Sequence, residues 1–298
     1  MLEGMFHQYL KVERNYSPHT VLAYTEDLKS FSAFLQAHYQ EDLFQQEGAQ
    51  AVTHRMIRAW MGEMLDAGIG NRSVNRKIAS LSAYYRFLRK SGYASQNPVS
   101  KVKSPKFEKK LPSFLNQESI TQLFEGMGFG MDFEGLRDKA LLEVLYSCGL
   151  RRSELVGLTY HNIDFPNATV KVMGKGRKER VVPLGRFAAQ AMKEYMRACD
   201  QSGLDYRGRF FLKADGGPVY DRLVHRIVDK YLQQVSSLTK TSPHVLRHTF
   251  ATHLLDRGAD LNAIKEMLGH ASLAATQVYL HNSISKLKDV YSKAHPKA

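Results

Sequence analysis

The stretch Lys103-Ser-Pro-Lys-Phe-Glu-Lys-Lys-Leu-Pro112 constrains this chain more than any other. Two prolines disfavour helix and the lysines keep the segment solvated, so an extended linker is predicted. No other stretch looks like a linker, and this one splits 298 residues into two parts, each long enough to bury a core. The boundaries read as a first domain at 1–104, a linker at 105–112 and a second domain at 113–298.

Everything before the linker reads as helix. Ser17-Pro18 is a start signal, followed at helical spacing by Val21, Leu28, Phe31 and Leu35. Thr53 caps a second helix whose stripe of Met56, Ile57, Trp60, Met61 and Met64 ends at Gly68, and Ser73 opens a third carrying Val74, Ile78, Leu81, Tyr85 and Leu88. After the linker, a helix capped near Asn116 leads through a glycine-containing loop at 126–135 to an apolar helix at 136–146. Thr169, Val170 and Val172 read as one strand and Val181-Val182 as another, with Gly174-Lys175-Gly176 at the turn. Helices at 186–202 and 220–235 flank a short Phe210-Phe211-Leu212 segment, and a short amphipathic helix at 283–294 closes the chain. The expected fold is therefore mainly α in two domains, the first all helical, the second mostly helical with a small antiparallel β-sheet.

Apolar content of 43% and charged content of 24% are those of a soluble globular chain. The net charge of +13 and a pI near 9.6 point to a polyanionic partner, nucleic acid ahead of an anionic membrane surface. No basic amphipathic anchor, long apolar span or signal peptide is apparent, so no membrane partner is expected. Cys148 and Cys199 lack metal-like spacing, which fits thiols in a reducing cytoplasm.

The charge is unevenly spread. Between Asp66 and Glu108 there is no acidic residue, while Arg72, Arg76, Lys77, Arg86, Arg89, Lys90, Lys101, Lys103 and Lys106 are all basic. Solvated faces normally mix signs, so a phosphate-facing surface is the preferred reading, to which Asn71, Ser73 and Asn75 would add neutral contacts. Arg177 and Lys178 extend the same character onto the predicted hairpin.

The chemistry-bearing residues lie mostly in 242–281. Ser242 and Pro243 suit a helix start, and on that helix His244 and Arg247 share a face. Gly258 ends it, Asp260 caps another, Gly269 closes that one, His270 sits in the turn, and Tyr279 follows. Two imidazoles, a guanidinium and a phenol suit phosphate-ester chemistry: the guanidinium matches phosphate oxygens, imidazole moves protons and a phenol can attack. His244 and His248 also have the spacing of a zinc pair, but Val245 stands where a metalloprotease needs Glu and Arg247 would sit beside the metal. No metal is expected.

His244-x-x-Arg247-His248, then Leu268-Gly269-His270, then Tyr279 resemble the tyrosine recombinase (phage integrase) family. Gly149-Leu-Arg-Arg-Ser-Glu-Leu155 resembles that family's first arginine box, and Gly174-Lys-Gly176 its catalytic lysine loop. The resemblance implies a catalytic set of Arg151, Lys175, His244, Arg247, His270 and the nucleophile Tyr279, with no cofactor, metal or ATP. Glu154 has two readings, orienting a catalytic cation or favouring a helix N-terminus. The first domain would be a core-binding DNA clamp using Arg72, Arg76, Lys77, Arg86, Arg89 and Lys90, with Arg177 and Lys178 of the second domain as further DNA contacts. The terminal helix, which nothing earlier requires for its own core, would dock on a neighbouring protomer; the alternative is that it folds back on its own domain.

Compact length and the chain's ending resemble the Xer recombinases of bacterial chromosome dimer resolution. That implies a cytoplasmic enzyme acting on a double-stranded DNA site as a homo- or hetero-tetramer on two synapsed sites. A paralogous recombinase and a septal DNA translocase would be its further partners. The alternatives are a mobile-element or phage integrase, a type IB topoisomerase-like nicking-closing enzyme, and a non-catalytic DNA-binding regulator.

Overall fold

The computed structural model describes residues 2–106, 113–174, 179–238, 241–269 and 280–297, with side chains in the last segment from 287 onward. It divides into two compact units, 1–110 and 111–298.

The first unit holds α1 (Leu2–Gln8) continued by a π-helical turn (Tyr9–Glu13), α2 (Pro18–Tyr39), α3 (Gln46–Ala51), α4 (His54–Asp66), α5 (Asn71–Lys90) and a 3-10 turn (Pro98–Lys101). Its starts and stops are chemical. The Ser17 hydroxyl accepts from the Thr20 amide and Thr53 from the Met56 amide, while Gly68 takes φ +77° just after α4. Helix α5 begins at Asn71, earlier than the expected Ser73, because the extended Gly70 offers its carbonyl to the Ser73 and Val74 amides. Ile57, Trp60, Met61 and Met64 are buried as their spacing predicts, and Trp60 packs on Phe31 at 4.7 Å between ring centres. Burial of each such side chain contributes about 1.5–3 kcal/mol.

Two findings change the reading of the basic run. Asn71 and Asn75 give their amides to the backbone carbonyls of Lys106 and Pro105, so they anchor the start of the predicted linker to α5. Asp27 of α2, almost wholly buried, accepts from Arg76 and Ser80 and lies 3.4 Å from Lys77, and Glu13 pairs with Lys90. The acids missing from the run in sequence are thus supplied by other helices.

The second unit contains α6 (Gln117–Thr121) with a π-helical turn (Gln122–Gly126), α7 (Phe133–Cys148), α8 (Arg152–Val156), a 3-10 turn (Tyr160–Asn162) and strands β1 (Ile163–Asp164), β2 (Thr169–Met173) and β3 (Glu179–Pro183). It continues with α9 (Arg186–Gln201), α10 (Asp221–Val235), α11 (Pro243–Asp256), α12 (Leu261–Leu268) and α13 (Leu280–Ala294). Helix α7 starts ahead of the expected residue 136 because Asp132 caps it through the Gly135 amide. It is buried on nearly every side, and its buried residues include the charged Arg137, Asp138 and Glu143. The sheet is antiparallel in the order β1-β2-β3; β1 was not anticipated, being only two residues long. In the β2–β3 register Val172 lies opposite Arg180 and Lys171 opposite Val181.

Helix α13 corrects the expectation that no core needs it. Leu287, Tyr291 and Ala294 belong to the core of the second unit, and Lys297 forms a buried ion pair with Glu143 of α7. The tail therefore folds back on its own domain. Among the described residues no helix is long and apolar enough to cross a membrane.

Candidate active site

Helix α11 begins at Pro243, with Ser242 in the extended cap conformation but without the anticipated side-chain cap bond. The Asp260 carboxylate accepts from the Asn262 and Ala263 amides to start α12. Gly269 stops α12 at φ +61°, a left-handed conformation that suits glycine. Helix ends leave carbonyls without helical partners, and here they become anchors. Arg180 Nε donates to the Met267 carbonyl (2.7 Å), Arg247 Nη2 to that of Leu268 (2.5 Å) and Arg151 Nη2 to that of Gly269 (3.2 Å). Three successive carbonyls each hold one arginine. The negative end of the helix dipole favours cations there as well.

The arginines share one carboxylate. Glu154 is buried in α8 and accepts the Arg151 backbone amide at 2.7 Å and its Nη1 at 2.8 Å. Arg180 grips the same carboxylate with Nη1 and Nη2 at 2.7 and 2.9 Å, and Arg247 Nη1 lies 4.0 Å away. Both readings of Glu154 hold, since it orients cations and also caps the α8 N-terminus. Arg247 is fixed from a third side, donating to the Gly149 carbonyl at 2.5 Å.

Gly149 supplies that carbonyl from φ +58°, and a Cβ there would stand 2.6 Å from the Phe250 ring. Gly149→Ala is expected to cost roughly 2–5 kcal/mol, from left-handed strain and overpacking together. Denaturant unfolding measures this; a loss below about 1 kcal/mol would show that the ring moves aside freely.

The field of the cluster is visible in its ionisation. Burial, then Arg151, lower the Arg247 pKa to about 10, which leaves it charged at neutral pH. Burial would raise the Glu154 pKa, but hydrogen bonds from Arg180 and Arg151 outweigh it and hold the carboxyl below its ordinary value. Burial and the nearby cations Arg247, Arg152 and Arg151 push His244 down, favouring a neutral imidazole that can accept a proton. The site combines two fixed guanidiniums beside a basic imidazole, an arrangement suited to a phosphodiester.

Of the predicted catalytic residues, the structure brings together Arg151, His244 and Arg247. Lys175, His270 and Tyr279 lie outside the described residues, as do Arg177 and Lys178. Sequence reasoning missed Arg180. Its signal was strand alternation, because Arg180 shares a face of β3 with buried Val182. On α5 of the first unit, Arg72, Arg76, Arg86, Arg89 and Lys90 are exposed, whereas Lys77 is mostly covered and lies 5.8 Å from the Trp60 ring centre.

Residues 113–286 match the model of the phage integrase family, and residues 5–92 match that of the phage integrase N-terminal SAM-like domain. The chain is 42% identical to tyrosine recombinase XerC of Chlorobaculum parvum (98% of this chain, 94% of that one). It is 43% identical to XerC of Pelobacter propionicus (98% and 94%) and 37% identical to that of Bacillus subtilis (99% and 96%). In fold it is similar to the Tn1549 transposon integrase in complex with a circular intermediate DNA, with a TM-score of 0.67, 21% identity, and coverage of 97% and 99%. It is likewise similar to a lambda integrase dimer bound to a COC' core site, with a TM-score of 0.68, 16% identity, and coverage of 100% and 96%.

Proposed function

The chain belongs to the phage integrase family, and on that premise we propose how its residues cut and rejoin DNA. It is a tyrosine recombinase of the Xer type, an enzyme of DNA strand exchange. Arg151 and Arg247 bind the non-bridging oxygens of the scissile phosphate and stabilise the charge that builds in the pentavalent transition state. The Tyr279 oxygen attacks phosphorus while His244 takes the phenolic proton and His270 donates to a phosphate oxygen. The bond to the 5′-oxygen breaks, Lys175 protonates that leaving oxygen, and a 3′-phosphotyrosine remains. The ester is conserved, so a 5′-hydroxyl from a second duplex can reverse the attack and join strands in a new pairing.

The observation that carries this reading is the fastening of Arg151 and Arg247 to adjoining carbonyls at the end of α12, the segment that leads on to His270 and Tyr279. We assign phosphate-backbone contacts to the exposed cations of α5, Arg72, Arg76, Arg86, Arg89 and Lys90, with Lys77 committed mainly to Asp27 and Trp60. The domains act as a core-binding unit at 1–104, a linker at 105–112 and a catalytic unit at 113–298. The wider role proposed is chromosome dimer resolution in the cytoplasm, by a tetramer of identical or paralogous protomers on two synapsed sites. A septal DNA translocase is the proposed activator.

The test uses a nicked duplex carrying a half-site that the full-length protein selects from a random-sequence library. A covalent adduct should form, and its rate should be unchanged in excess chelator, because guanidiniums carry the phosphate charge. Loss of the adduct on chelation, restored by magnesium or zinc, would place the reaction in another mechanistic class.

A further inference from the structure

We propose that Arg180 is a positioning residue for strand cleavage, holding the carboxylate of Glu154 so that Arg151 and Arg247 stay available to the phosphate. This rests on the tyrosine recombinase reading of the site. Arg180 sits on β3 in register with Val172, just beyond the 175–178 segment that contains Lys175. Its side chain is nine-tenths buried and spends its donors in two directions. Nη1 and Nη2 take the two oxygens of Glu154, and Nε takes the Met267 carbonyl at the end of α12. One side chain thus ties together strand β3, the Arg151 turn and the end of α12. Gly269 leaves room for it, since a Cβ there would lie 3.0 Å from Arg180 Cδ.

The charge argument has a direction. Glu154 is a buried anion and must be matched by nearby cations. With Arg180 in place, three guanidiniums face one carboxylate, and two positive charges remain for the phosphate. Without it, Arg151 and Arg247 alone would balance Glu154, and Arg151, already bonded to Oε1, would be drawn further into the pair. A fork is needed, because lysine offers a point charge and cannot span both oxygens and a carbonyl at once. Arg180 touches no reacting atom in this scheme and acts through its neighbours.

The experiment measures half-site binding and covalent adduct formation on the selected nicked duplex, using full-length protein. R180A should bind within about threefold of the unaltered protein and cleave about 100-fold more slowly, the scale expected from small misplacement of catalytic groups. R180K should recover only part of the rate. In R180A the rate deficit should narrow as the pH falls, because Glu154 loses the bonds that hold its carboxyl down and its protonation releases Arg151 and Arg247. Adding E154Q to R180A should raise the rate above that of R180A alone, because it removes the uncompensated anion.

Adduct formation by R180A within threefold of the unaltered protein overturns the proposal, as does full activity in R180K. A rate loss matched by lost half-site binding, with the pH profile unmoved and no gain from E154Q, overturns it in favour of a purely structural role. Should R180A fail to fold, R180K alone and paired with E154Q carries the same comparison. If the unaltered protein itself forms no adduct, the recombinase reading falls, and the two failures are thereby distinguished.

Discussion

Tyr279→Phe should leave half-site binding within about threefold of the unaltered protein while adduct on the nicked duplex falls by roughly 10⁴–10⁶-fold, the scale of removing a nucleophile. The substitution deletes one oxygen and keeps the ring. That oxygen makes the bond to phosphorus, so no other group in the scheme can substitute for it. The rest of the machinery would remain: Arg247, with a pKa of about 10, stays protonated across the neutral range, and Arg151 keeps its bonds to Glu154 and the Gly269 carbonyl. The phosphate would therefore still be bound and polarised, but not attacked. Phosphotyrosyl product at undiminished yield in this variant would remove Tyr279 from the mechanism and shift the nucleophile to another side chain.

Local signals in the chain predicted local structure well. Ser17, Thr53, Asn116 and Asp260 each cap the helix that their position before an apolar run suggests. Gly68, Gly258 and Gly269 take the left-handed conformations expected where helices end, and the stripe from Ile57 to Met64 is core. The pairing of distant residues was not legible. Asp27 and Arg76 are separated by 49 positions and Glu154 and Arg180 by 26, so no helical or strand periodicity links them. The basic run looked free of acids because its counter-charges lie on α2 and on the turn at Tyr9–Glu13. Arg151 and Arg247 were recognisable as a motif, but their shared fastening to the end of α12 depends on how α8 and α11 pack. The tail was misread because its partners are equally remote: Glu143 precedes Lys297 by 154 positions.

That tail makes the second large effect a loss of stability. Deleting residues 287–298 is expected to destabilise the catalytic unit by roughly 5 kcal/mol or more, from lost burial of Leu287 and Tyr291 and from stranding Glu143. Glu143 is almost wholly buried within α7, and its cation is Lys297, whose ammonium also lies 3.8 Å from the Phe124 ring centre and 4.8 Å from that of Phe187. A typical domain has only about 5–15 kcal/mol in total, so the truncated unit should unfold or melt far below the full chain. Melting within a few degrees of the full chain would show that the tail's seat is dispensable.

The same seat should respond to acid. His295 stacks on Tyr291 at 4.6 Å, near Tyr146 and Phe250, and burial, then His253, lower its pKa from 6.5 to about 3. The folded protein therefore holds it neutral while the unfolded chain protonates it below about 6.5. Its contribution is complete above that pH and is lost as the pH falls towards about 3, at about 1.4 kcal/mol per unit. In full-length His295→Gln the stability difference between pH 7 and pH 5 should shrink by about 2 kcal/mol; an unchanged acid limb would assign the sensitivity elsewhere, with His253, lowered in the same direction, as the next group to vary. Any exchange of the tail between protomers must first vacate this seat and then refill it. The strength of the Lys297–Glu143 pair and of the His295 stack thus sets how readily a free protomer can enter an assembly of that kind.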